Sequence, residues 1–318
     1  MGKTGFFSWL KDDAEDWMIF RRMKYVHPAW LIFGLLLLNK TYLTLNGGEE
    51  QYLAYALQQY NPDWVPNSFS VTEFPGTRLL FQTITGFFVY HFGFLATAFT
   101  GRVLVFLLMS FPLARIFRHF GFSTLTMLVL MQFFLITKQS FFADEWIFWG
   151  FEPKAPAYVF LFWGLLFLLE KRFLLMAVAL AFSSWFHLLV GGWFFAGAMI
   201  LMLFSRRPVR EMAATAGLYM AMMLPLVIYL WPLIASSYDT GTHINLDQVY
   251  VYFRLKHHLG LFDSYGYFVS KHLPGVAAAA AALVWQIVLL RKVGDAGFRL
   301  MTKLNVIFLS LALAFVAV

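Results

Sequence analysis

From position 27 onward the chain alternates long apolar stretches with short polar breaks, and it lacks the two-residue alternation of half-buried strands. A helix needs roughly 17–25 mostly apolar residues to cross a bilayer. Stretches of that length, or slightly less, run over about 27–45, 94–114, 122–137, 155–169, 172–187, 189–204, 211–235, 273–290 and 303–318. The shorter ones read as tilted members of a bundle. A further stretch at 76–92, GTRLLFQTITGFFVYHF, either crosses or lies along the membrane and re-enters it. Three connections are long, at about 46–75, 138–154 and 236–272, and others are as tight as Glu170-Lys171-Arg172. Within the first, residues 49–60 resume helical spacing, with Leu53, Ala56 and Leu57 on one face and Gln58 and Gln59 on another. The pattern predicts an all-α, polytopic transmembrane bundle of about nine spans, with an amphipathic helix in its first outer loop. Residues 1–26 form a separate N-terminal segment whose stretch FFSWLKDDAEDWMIF lies on the membrane surface, and 27–318 form the transmembrane domain.

Charge orients this bundle. The basic clusters Arg21/Arg22/Lys24, Arg115/Arg118, Lys171/Arg172, Arg206/Arg207/Arg210 and Arg291/Lys292 all fall on one side if 76–92 does not cross. Lys and Arg favour the cytoplasmic side, so nine crossings with the N-terminus in the cytoplasm are expected. Ten of the 17 acids then lie outside: Glu49, Glu50, Asp63, Glu73, Asp144, Glu145, Glu152, Asp239, Asp247 and Asp263. All ten sit in the three long loops. One face is built up, which is where function concentrates on a helical scaffold.

Composition agrees with lipid as the solvent. The chain is 60% hydrophobic and 13% charged, against about half and roughly a quarter in soluble domains. There is no cysteine, which excludes disulfides, cysteine nucleophiles and cysteine-ligated metal. P-loop, dinucleotide, Gly-x-Ser-x-Gly and His-Glu-x-x-His patterns are missing, as is any nucleic-acid-binding pattern, so nucleic acid is not an expected partner.

Four constellations on the built-up face are chemical candidates. Glu49 and Glu50 follow the first span at the membrane surface, where low dielectric raises a carboxylate's proton affinity and suits it to act as a base or metal ligand. The equal alternative is a solvated helix start, where acids meet the helix dipole. Arg254, Lys256, His257 and His258 in YVYFRLKHHLGLF form a cationic island matched to a lipid phosphate, or else an interfacial patch touching headgroups. Glu152 and Lys154, beside Trp149, either line a sugar pocket or make a structural ion pair in an aromatic belt. His187, before Gly191 and Gly192, is a ligand candidate or a hydrogen-bonded packing residue. Arg102, within an apolar stretch, is expected to face protein rather than lipid.

The Gly48-Glu49-Glu50-Gln51-Tyr52 run, an acid pair leaving the first span before an amphipathic helix, resembles the first outer loop of GT-C-fold glycosyltransferases. That family's Asp-Glu-x-x-Tyr becomes Glu-Glu-x-Tyr here, with Glu49 in place of Asp and the Tyr one residue early. The Arg-x-x-His-His run at 254–258, with FEPK at 151–154 and FHLLVGGW at 186–193, is similar to uncharacterised bacterial GT-C-like membrane proteins over most of the chain. The resemblance implies a membrane glycosyltransferase using a lipid-linked phosphate sugar at the outer face. Glu49, with Glu50 beside it, would be its catalytic base or metal-associated acid, and Arg254, Lys256, His257, His258, Glu152, Lys154, Trp149 and His187 would bind substrate. Membrane lipid and the lipid-linked sugar donor are the expected partners, and a divalent metal is the cofactor to test. The alternative is a non-catalytic structural or assembly subunit of a larger membrane complex, with other membrane subunits as partners.

Overall fold

The computed structural model describes residues 26–68, 78–137, 139–140, 146–236, 249, 263–290, 292 and 294–316. Every long regular element among them is a helix. In chain order these are α1 (Pro28–Lys40), α2 (Gly47–Tyr60), α3 (Leu79–Phe92), α4 (Phe94–His119), α5 (Thr124–Ile136), α6 (Lys154–Leu169), α7 (Phe173–Phe186), α8 (Leu188–Phe204), α9 (Val209–Ser236), α10 (Tyr265–Leu290) and α11 (Ala296–Val316). Within α10, Phe268–His272 form a π-turn.

Local chemistry sets several boundaries. α1 starts at Pro28, whose missing N–H is no loss at that position, and the His27 ring accepts from Ala29 N at 3.3 Å. Ser123 caps α5 by accepting from Thr126 N at 3.2 Å. Gly93, with φ of 80°, joins α3 directly to α4 in a conformation that disfavours side chains.

α4, the Val209–Pro232 stretch of α9, and α10 are long and apolar enough to cross a membrane; α1, α3, α5, α6, α7 and α8 are apolar but shorter. This is compatible with a multi-pass membrane protein. Exposed side chains such as Phe87 and Phe88 on α3, Trp231 on α9, and Val284 and Trp285 on α10 present apolar surface that lipid, rather than water, would solvate.

Two departures from the sequence pattern have physical causes. α1 ends at Lys40 rather than 45, because the chain turns extended at Thr41 and gives its next carbonyls to a buried arginine. Residues 265–272, expected in a loop, are helical, started by the Ser264 hydroxyl accepting from Tyr267 N at 3.2 Å.

The core has three parts. Ile32 and Leu36 of α1 pack with Phe106 and Met109 of α4, Met131 of α5 and Val159 of α6. Met176 and Leu180 of α7 pack with Ala198 of α8, Met223 of α9 and Leu304 of α11. Leu53 and Leu57 of α2 pack with Phe81 and Val89 of α3 and Ala98 of α4. α6 and α7 approach closely because Gly164 leaves room for the Leu180 side chain.

Polar bonds pin α7 to α9: the Ser184 and Tyr219 hydroxyls lie 2.8 Å apart, and Trp185 Nε1 donates to the Met222 carbonyl at 3.0 Å. Tyr219 also stacks on Phe195. Tyr219→Phe keeps the stack and removes one hydrogen bond, so a loss of about 1 kcal/mol is expected. Thermal unfolding in detergent checks it, and a drop no larger than that of an exposed Tyr265→Phe control would show that the bond contributes nothing.

Candidate functional site

The first long connection and the second meet. The meeting point begins with a glycine on α4: Gly101 has no Cβ, and the Phe151 ring occupies the space one would fill. So seated, Phe151 aims its backbone N–H at Glu49 Oε1, 2.6 Å away. Gly150 lies equally close, since a Cβ there would stand 3.1 Å from Glu49 Cγ. On the other side, the Glu152 carboxylate presses against the backbone of Gly48, in the space a Cβ would need. A carboxylate beside the first turn of α2 meets the positive end of the helix dipole. Glu152 is buried, at 7% exposure.

Glu49 is fully enclosed, with 0% exposure. Its two oxygens take four hydrogen bonds. Arg102 Nε donates to Oε1 at 2.6 Å and Arg102 Nη2 to Oε2 at 2.7 Å. Asn46 N donates to Oε2 at 2.8 Å, and Phe151 N supplies the fourth. The Asn46 bond closes half of a capping box at the start of α2. Arg102, 1% exposed, also donates to the Tyr42 carbonyl at 2.5 Å through Nη1 and to the Thr44 carbonyl at 2.6 Å through Nη2. This two-pronged pair has its charge and its donors matched, the condition under which buried ions are tolerated. It joins the end of α1, the start of α2, the first third of α4 and the approach to α6.

That arrangement separates the two adjacent acids. Glu49 has its acceptor positions filled, so its visible work is structural, whereas Glu50 is exposed one residue on. Around them stand cations against aromatic rings. Lys40 Nζ lies 5.1 Å from the Trp149 ring centre, and Trp149 also touches Tyr42. Lys154 lies 5.5 Å from Trp146, and Arg78 stands 5.5 Å from both Tyr52 and Tyr55. His187 caps α8, its Nδ1 accepting from Val190 N at 3.4 Å. Its neighbour Phe186 packs on the α2–α3 cluster, which puts His187 at this same end of the bundle.

Of the residues predicted from sequence, the structure thus gathers Glu49, Glu50, Trp149, Glu152 and Lys154 into one region, with His187 at the same end. Arg254, Lys256, His257 and His258 lie outside the described residues, as do Asp144 and Glu145. Among the described residues, no three His, Asp or Glu side chains gather closely enough to hold a metal ion. Arg102's role as the counter-ion of Glu49 went unread in the sequence. The signal was present: an arginine inside an apolar helix requires a carboxylate or carbonyl partner.

Compared with known proteins, the chain matches no family model, no curated protein and no solved structure.

Proposed function

We propose that the chain is a GT-C-like integral membrane protein that receives a lipid-linked phosphate sugar over the face formed by 42–60 and 146–154. The observation that supports this most is the meeting of those two connections at Glu49, Phe151 and Glu152. In this reading the bundle crosses a bacterial inner membrane nine times, with α2 and α3 together on the outer side. The tight seat of Gly86 of α3 against the Ala56 carbonyl of α2 supports keeping that pair together. The phosphate of the donor lies against Arg254, Lys256, His257 and His258. Trp149, Lys154 and Glu152 shape the sugar side, with aromatic faces covering apolar C–H surface. Glu49 positions the loop through Arg102, and Glu50 takes the proton from the acceptor hydroxyl as it attacks the anomeric carbon. Charge leaving with the phosphate is stabilised by the cationic island.

The test uses the full chain in detergent or nanodiscs. Polyprenyl phosphate is expected to raise its melting temperature, and Arg254→Ala to abolish the rise. Glu50→Gln is expected to keep the fold and lose turnover of a polyprenyl-phosphate sugar by 10²-fold or more, the usual scale for a general base. Unchanged turnover would remove Glu50 from the chemistry.

The second reading, a non-catalytic subunit of a membrane complex, is favoured by the sealing of Glu49 behind Arg102. It predicts no lipid-phosphate shift and co-purification with other subunits in fixed ratio.

A further inference from the structure

A second feature lies away from this region, where the 170–172 and 205–208 turns meet. A groove of about 570 Å³ opens between the starts of α7 and α9, lined by Lys171, Arg172, Leu174, Leu175, Arg210 and Glu211 among others. The three cations are exposed. Arg172 is 3.6 Å from Glu170 Oε2 and lies over Phe167, while Lys171 and Arg210 have no ion pair among the described residues. Glu211 is different. Its Oε2 is buried and accepts no hydrogen bond among the described residues. The nearby Thr215 hydroxyl is spent on Glu211's own carbonyl, at 2.8 Å. A carboxylate so short of donors is costly, so a cationic group binding at the groove wall that Glu211 lines is favoured. Leu174 and Leu175, 51% and 38% exposed, extend the groove as apolar surface.

The geometry points to a phospholipid headgroup site specific for a primary ammonium. The lipid phosphate would meet Lys171, Arg172 and Arg210, joined by unpaired backbone N–H groups at two helix starts. The ammonium would pair with the Glu211 carboxylate at the groove wall, and acyl chains would run along Leu174 and Leu175. Phosphatidylethanolamine carries both charges at suitable separation. Phosphatidylcholine carries the same charges but has no N–H to donate. The charge pattern of the sequence assigns this end to the cytoplasmic leaflet, opposite the sugar-transfer face, and the inference stands independently of that function.

Native mass spectrometry of the full chain tests it, with equimolar phosphatidylethanolamine and phosphatidylcholine of identical acyl chains. Ethanolamine adducts are expected to exceed choline adducts several-fold. Glu211→Gln is expected to bring the ratio near one, and Arg172→Ala with Arg210→Ala to reduce both adducts. Equal retention of the two lipids by the unaltered protein would overturn the assignment, whatever the variants do. Preference for phosphatidylglycerol over phosphatidylethanolamine would overturn the ammonium's role. Excess soluble phosphoethanolamine is expected to displace the bound lipid, and failure to do so would overturn recognition through the headgroup.

Discussion

Arg102→Ala is expected to lower the stability of the folded protein by about 3–5 kcal/mol, because it strands the Glu49 carboxylate in a site with 0% exposure. The loss goes beyond one ion pair. The Tyr42 and Thr44 carbonyls lose their donor as well, so the chain leaving α1 is freed together with the start of α2. A fall in monodisperse yield and in melting temperature would report it. Glu49→Gln should also be costly: its oxygen can still accept from Arg102 Nε and Phe151 N, but its NH2 would face the Arg102 Nη2 and Asn46 donors and leave the buried Arg102 charge without a counter-ion. Glu49→Met with Arg102→Met should recover part of the loss, since apolar replacement of a whole buried pair is often neutral. If Arg102→Ala melted like the parent, the pair would not be holding these elements.

Gly86→Ala is also expected to be strongly damaging. A Cβ at 86 would overlap the Ala56 carbonyl, which is backbone and cannot rotate aside, and would crowd Tyr60 Cβ at 2.9 Å. Alanine gains about 1 kcal/mol in helix propensity over glycine. Overpacking costs about 1–3 kcal/mol, and here it must push α2 off α3, so destabilisation wins. Gly34→Ala is the control: a Cβ there meets nothing within 4 Å, so only the propensity gain remains. Melting curves of the two variants should move in opposite directions. Movement of both upward would mean that α2 and α3 have room to separate.

Much of the bundle was legible in the apolar stretches, because each is long enough to be read without knowing its neighbours. The stretch expected at 94–114 begins at Phe94 as observed, and α4 continues to His119 because Arg115 and Arg118 are good helix formers whose charged ends reach out of the apolar zone. The amphipathic helix in the first loop was readable from the spacing of Leu53, Ala56 and Leu57, all of them buried. The site was legible only in part. That Glu49 and Glu152 share one region follows from charge asymmetry along the chain, whereas the division of labour between Glu49 and Glu50 does not. It depends on Arg102, which stands 53 residues from Glu49, and on a phenylalanine N–H 102 residues away. Pairings at such separation are set by how helices pack, and no local spacing carries them. The end of α1 at Lys40 was hidden for the same reason, since the residues that unwind there are as apolar as helix until their carbonyls find Arg102.

The same pair bears on how the chain is made. If α4 inserts as a membrane span, Arg102, the ninth of its 26 residues, opposes entry, at a cost below the about 2.5–3.5 kcal/mol of an arginine at a span's centre. Glu49 leaves the ribosome 53 residues before Arg102. The neutralising carboxylate is therefore synthesised before the arginine, and in a membrane-inserted chain the order of translation would favour entry of α4 as a partner of the preceding loop rather than alone.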